Sequence, residues 1–251
     1  MFETMKYAFL KFISLFKTNL LKTIYVNIRL LPIPQAIKLP IFVYGRFLLR
    51  EAEGKVIING DVSTGMIKIG RHDRYPETHC PQSIWVINGD LEFNGNMSFF
   101  QGSYIMVAHH AKLVFGQGDH PACGANLRIM CFDSIFIEDA HITWDCQIMD
   151  SSFHYIESIE EKAINSLTRP VRLGKHVWVG NRTTISSGAV IPDETIIASH
   201  SLVNKDYTSI GPNCLIGGIP SKVLKTGIHR IYDKTMQAQL DEEFKYDRTR
   251  L

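Results

Sequence analysis

The sequence lacks an unbroken apolar run long enough to cross a bilayer. Its most apolar stretch, MFETMKYAFLKFISLFKTNLLKTIYVNIRLL at the start, is interrupted by Lys6, Lys11, Lys17 and Lys22, too often for a spanning helix. That stretch also has no small-residue cleavage site of the signal-peptide type. Charge of one sign is lacking too: 27 Lys and Arg against 25 Asp and Glu leave a formal net charge of +2. The whole chain therefore offers no electrostatic case for nucleic acid as its partner. Cysteine is sparse, and Cys80, Cys123, Cys131, Cys146 and Cys214 are odd in number, widely spaced and without a C-x-x-C pair. A disulfide framework and a zinc ribbon are both disfavoured, and reduced thiols in a cytoplasmic protein are the expectation.

What is present suits one main domain with an appendage: 251 residues, 45% hydrophobic and 21% charged. Residues about 3 to 28 read as an amphipathic basic helix, with Phe9, Ile13, Phe16, Leu20 and Ile24 at three- and four-residue steps and the lysines mostly elsewhere. Its apolar face is expected to pack on the main domain or a neighbouring subunit, or to lie on the inner face of a membrane as a peripheral contact. Three prolines in LPIPQAIKLP then end the helix. The expected organisation is a helical segment and linker over 1–50, the main domain over 51–226, and a helical tail over 227–251 with Tyr232, Met236, Leu240 and Phe244 at four-residue steps.

From about residue 54 short apolar stretches such as KVIIN, MIKIG and KLVFG alternate with Gly, Asn and Asp, the pattern of strands and turns. The decisive segment is 173–208, which divides into six hexads: LGKHVW, VGNRTT, ISSGAV, IPDETI, IASHSL and VNKDYT. The first position is always aliphatic (Leu173, Val179, Ile185, Ile191, Ile197, Val203), the second is small or turn-forming, and the fifth is mostly compact. One short strand and one turn per six residues describe a solenoid of three strands per coil, mainly β, whose inward aliphatic residues stack in columns. Ile137, Thr143 and Met149 carry a weaker version upstream. Between the two the period fails, in QIMDSSFHYIES, with His154 in the middle of the break.

The hexads, the preceding MDSSFH, the GKHVWVG whose Trp178 lies 24 residues after His154, and the closing GIPSKV resemble the hexapeptide-repeat acyltransferases. The nearest branch in pattern is that of galactoside and maltose acetyltransferases and capsule or O-antigen O-acetyltransferases. The resemblance implies a left-handed parallel β-helix, a homotrimer with active sites between subunits, and acetyl-CoA as donor, with a sugar or polysaccharide precursor as acceptor. It implies an O-acetyltransferase of surface polysaccharide, with an N-acetyltransferase of an amino sugar and a catalytically silent scaffold as alternatives.

Acetyl transfer to a hydroxyl needs a base near neutrality, for which imidazole is suited. The resemblance places that base at His154, on a loop of about 150–172 that leaves the helix. Asp150, Glu157 or a backbone carbonyl are the candidates to orient it. Coenzyme A calls for small polar residues along its pantetheine and cations at its phosphates; the matching positions are Asn181, Ser199, Asn204 and Lys205, then Lys222 and Lys225. Asn126 and Asp133 match acceptor positions, and Trp178 either shapes the acyl end of the cleft or packs in the core. A zinc site is not expected: His109, His110, His120 and His141 contain no His-x4-His pair, and adjacent His109 and His110 on a strand would face opposite ways.

Overall fold

The structure is a computed structural model, and it describes residues 18–72, 81–118 and 122–246. The first part of the expected basic helix, with Phe9, Ile13 and Phe16, lies outside the described residues. So do Cys80 and His120.

Three sheets of nine, seven and six strands form the faces of a prism. The chain visits them in turn, and within each face successive visits pair in parallel. On the first face Trp178 pairs with Ile196, on the second Thr184 with Leu202, and on the third Arg172 with Val190, each 18 residues on. This is the three-strand coil that a six-residue repeat requires. All six first positions of the hexads point inward and are at most 2% exposed. The fifth positions point inward beside them, and Val177, Thr183, Ala189, Thr195, Ser201 and Tyr207 are all buried. Fourth positions turn the corners with positive φ, at His176, Arg182, Gly188, Glu194 and His200. The small second position is a packing requirement: a Cβ on Gly180 would stand 2.5 Å from the Ser199 nitrogen of the next coil.

Upstream the coils are longer and hold larger side chains. Lys68 pairs with Ser98 and Asp90 with Lys112, separations of 30 and 22 residues. Their wider interior is filled by aromatic residues: Trp85 lies edge-on to Phe47 at 5.9 Å and to Phe99 at 5.5 Å, while Phe93 stacks on Phe115 at 5.5 Å. Two expectations shift here. Thr143 and Met149 are only half-buried, and the inward residues are Ile142 and Ile148, because the corner after Ile137 is one residue shorter than a hexad corner. The solenoid also begins earlier than residue 51, since Ile41–Val43 already pairs with Ile67–Ile69.

The N-terminal segment closes the open end of this prism. Helix α1 (Leu20–Leu30) buries Thr23, Val26, Asn27 and Leu30, a different face from the expected one: Leu20 is 48% and Ile24 39% exposed. The reason lies in hydrogen bonding. A first strand leaves a row of unpaired backbone groups, and the helix answers them with polar side chains. Thr23 Oγ1 accepts from the Val43 amide, Lys22 Nζ donates to the Phe47 carbonyl, and Arg29 donates to the Ala52 carbonyl. From the short helix α2 (Ile33–Ala36), Gln35 Nε2 donates to the Ile58 carbonyl on the third face. The segment thus packs on the main domain.

At the other end the chain folds back in an antiparallel hairpin, Cys214–Gly218 against Ser221–Thr226. The tail helix α3 (Lys234–Glu243) buries none of its residues. Tyr232 lies just ahead of it, and Phe244 is 73% exposed.

Candidate active site

The repeat breaks where an arm leaves the prism between Gln147–Met149 on the second face and Val171–Leu173 on the third. Its two sides are tied together: Arg169 N donates to the Asp150 carbonyl, Ser152 N to Leu167, and Asn165 N to Ile156. A short antiparallel pair, Glu157–Ser158 with Ala163–Ile164, forms its outer part. His154 lies on the outgoing side, solvent-exposed, and its carbonyl accepts from Ser152 Oγ at 3.1 Å. Among the described residues its imidazole has no hydrogen-bond partner. Phe153, in the left-handed region at φ 63°, packs edge-on against Phe132 at 5.1 Å and fixes the bend beside the histidine.

In this structure Asp150 hydrogen-bonds the backbone of the preceding coil. Its carboxylate is fully buried, and its two oxygens accept from the Phe132 and Asp133 amides, each at 2.8 Å. Both oxygens hold the preceding corner, at the root of the arm. Glu157 is exposed and pairs through its backbone with Ile164. Burial, together with the adjacent Asp150, pushes the Cys131 thiol far above its usual range.

A groove of about 560 Å³ runs at a different place, along the first face and its corner with the second. Its lining includes His141, Trp144, Trp178, Asn181, Ser199 and Arg230. Parallel pairing sets this composition: His141 and Trp178 are neighbours on the first face, and Asn181 and Ser199 follow at the corner on successive coils, with Ser199 Oγ donating to Asn181 Oδ1 at 2.5 Å. Trp178 is half-buried and faces the groove rather than the core.

The other expected residues are spread over the corners. Asn126 stands at the same corner as Asn181, in a left-handed column with Asp145 and Arg182; it donates to Asp145 Oδ1 at 3.0 Å. Asp133 stands at the corner that bears the arm, so one chain does not bring Asn126 and Asp133 together. Asn204 and Lys205 are exposed at the arm-bearing corner, beyond the coil of Val190. Lys222 and Lys225 are exposed on the last strand of the first face. Sequence reasoning gave no groove role to Trp144, Arg230 or His141: Arg230 comes from the aperiodic tail, and His141 drew attention only as a metal ligand. Among the described residues no cluster of three or more His, Cys, Asp or Glu converges as a metal site.

No family profile matches the chain. Among curated proteins it is 36% identical over 56 residues to galactoside O-acetyltransferase of Escherichia coli (strain K12), covering 22% of this chain and 26% of that protein. It is 36% identical over 81 residues to chloramphenicol acetyltransferase of Morganella morganii, 30% and 37% of the two chains. Over 151 residues it is 27% identical to an uncharacterized 24.8 kDa protein in the cps region of Klebsiella pneumoniae, 58% and 64% of the two chains. The matches thus span from about a quarter to just under two-thirds of these relatives' lengths. Among solved structures, the polySia-specific acetyltransferase NeuO superposes with a TM-score of 0.57 at 20% identity, over 81% of this chain and 88% of that one. The fold is the left-handed parallel β-helix, and the chain is similar to the hexapeptide-repeat acyltransferases.

Proposed function

We propose that this left-handed β-helix is an acetyl-CoA-dependent O-acetyltransferase acting on a hydroxyl of a sugar in surface polysaccharide biosynthesis. The observation that carries the reading is the arm: the repeat is interrupted once in its regular part, and the interruption presents His154 one coil before a groove lined by Trp178, Asn181 and Ser199. An acceptor hydroxyl gives its proton to the His154 imidazole as its oxygen attacks the thioester carbonyl carbon. The tetrahedral intermediate then collapses, the carbon–sulfur bond breaks, and the departing thiolate takes the proton back from the imidazolium. The donor's pantetheine lies along Asn181 and Ser199, and its phosphates meet Lys222 and Lys225, the anionic end requiring cations. Acceptors named for the similar proteins, a galactoside and polysialic acid, support a sugar acceptor.

The active unit is a homotrimer. The arm with His154, Asn204 and Lys205 stands at one corner of the prism and the groove at another, so the two halves of the site meet when the arm corner of one copy faces the groove corner of the next. A threefold axis closes such heterologous contacts into a ring. Exposed Tyr155, Ile156 and Ile159 on the arm, the last 90% exposed, supply the apolar surface that such a contact buries.

Peripheral membrane contact through the N-terminal helix belongs to the same proposal. No helix among the described residues is long and apolar enough to cross a membrane. Lys22 and Arg29 are engaged with strand carbonyls, which leaves the exposed Leu21, Tyr25 and Ile28 as the surface for such contact.

The test is incubation with acetyl-CoA and a panel of sugars, nucleotide sugars and surface oligosaccharides, read by mass spectrometry beside His154→Ala. An acetyl increment on one acceptor, absent in the variant and removed by mild alkali, supports an O-ester. An alkali-stable product would move the reading to an amino sugar, and failure to bind acetyl-CoA would leave a silent scaffold.

A further inference from the structure

We infer that Arg230 makes the groove selective for an acceptor carrying an anionic group, a carboxylate or a phosphate. The inference rests on the acyltransferase reading for the word acceptor, but the cation site stands on geometry alone. The tail after the final hairpin turns back over the first face and lays the Arg230 guanidinium between two rings, 5.1 Å from the centre of Trp178 and 4.9 Å from that of Tyr232. Tyr232 is itself held: its hydroxyl donates to the His176 carbonyl at 3.2 Å, and its ring lies 5.1 Å from the His176 imidazole. The planar cation is therefore pre-oriented, the condition under which arginine recognises carboxylate or phosphate through two parallel hydrogen bonds.

Among the described residues no carboxylate forms an ion pair with the guanidinium. Asp139 and Glu194, whose charges reach Tyr232, bracket His176 at 3.5 and 2.5 Å. Arg230 Nη1 is removed from solvent, with no hydrogen-bond partner among the described residues. A partly desolvated cation with an unmet donor in a groove wall is costly unless a ligand anion repays it. The location selects which ligand. Along the first face the Trp178 strand is three strands from the one carrying Lys222 and Lys225, where the coenzyme phosphates are placed. Arg230 thus lies toward the acyl and acceptor end, on the coil that follows the arm.

The experiment compares wild type, Arg230→Gln and Arg230→Lys with paired probes: glucuronate and its methyl ester, N-acetylneuraminate and its methyl ester, and glucose 1-phosphate and glucose. Binding is followed by tryptophan fluorescence, since two of the three tryptophans line the groove, and transfer by acetyl mass increment. Wild type is expected to prefer an anionic member of a pair, with carboxylate and phosphate pairs separating the two sources. Arg230→Gln should weaken that probe about 10- to 100-fold, as for loss of a charged hydrogen bond, leave the neutral member unchanged, and add no further loss to the methyl ester. Equal binding of both members by wild type would overturn the inference, as would a uniform loss across pairs or a loss confined to the acetyl-CoA KM. If no probe is acetylated but the anion preference and its loss in Arg230→Gln are seen, the anion site stands and the acyltransferase reading fails.

Discussion

Asn27 hydrogen-bonds both backbone groups of Ile41: its Nδ2 donates to the Ile41 carbonyl at 2.7 Å, and its Oδ1 accepts from the Ile41 amide at 3.0 Å. A side-chain amide carries one acceptor and two donors, so it can complete the first strand as another strand would. Its second donor bond goes to Thr23 O at 2.7 Å, which leaves the fully buried amide satisfied.

Replacing Asn27 by the nearly isosteric Leu keeps the volume and strands both backbone groups of Ile41. We expect a loss of roughly 2–4 kcal/mol, the cost of one to two unmet buried polar groups, read as a lower urea midpoint. Concentration-dependent association should accompany it, because an uncapped parallel edge is a template for another chain. Unchanged stability would mean that water replaces the amide.

His154→Ala should lower kcat by about 10²- to 10⁴-fold, the usual weight of a general base, while the KM for acetyl-CoA stays within a few-fold. The stability of the variant should match wild type, since the imidazole is exposed and makes no contact that holds the arm. A large fall in stability would make the histidine structural.

Asp150→Ala should act through position. Removing the acceptor of two amides frees the Phe132–Asp133 corner and the root of the arm, so both stability and kcat should fall, stability by about 2–4 kcal/mol. Asp150→Asn retains one acceptor oxygen and should recover part of both. If Asp150→Asn loses activity as fully as Asp150→Ala while keeping wild-type stability, the carboxylate is acting on the histidine after all.

How much of this was legible follows from where the period holds. The hexads predicted six inward residues from Leu173 to Val203, because a six-residue repeat leaves no freedom in which side chain faces in. Upstream the same faces are built from coils of 20 to 36 residues around Trp85, Phe93 and Phe99, and length variation at the corners erased the register. The first helix misled for a chemical reason: it buries Thr23 and Asn27 for hydrogen bonding, and an apolar-face reading ranks them as solvent-facing. His154 was visible as a break in the repeat. Arg230 was not, since its place over Trp178 depends on how an aperiodic tail folds back.

The thiols give a check on burial. Cys123, Cys131, Cys146 and Cys214 are free and buried. Burial holds the Cys123 and Cys131 thiols well above their usual range, and pushes Cys146 up to about 11. Their reactive thiolate is therefore scarce near pH 8. In a Cys80→Ser background, maleimide should label none of these four in the native protein within minutes, and all four in urea. Rapid native labelling of Cys131 would indicate that the root of the arm opens.

A two-subunit site makes a quantitative prediction about mixtures. Ser199 is exposed at the groove corner, so Ser199→Tyr blocks the groove of a subunit without touching its arm, while His154→Ala disables the arm and leaves the groove. Each homotrimer should be inactive. If every site joins the arm of one copy to the groove of the next, co-refolding the two variants in equal amounts gives a sound site whenever a Ser199→Tyr arm meets a His154→Ala groove. Random assembly around a threefold axis makes that about a quarter of all sites, so activity should return to about a quarter of wild type. If each chain built its own site, no mixture would recover activity, because every chain carries one of the two defects.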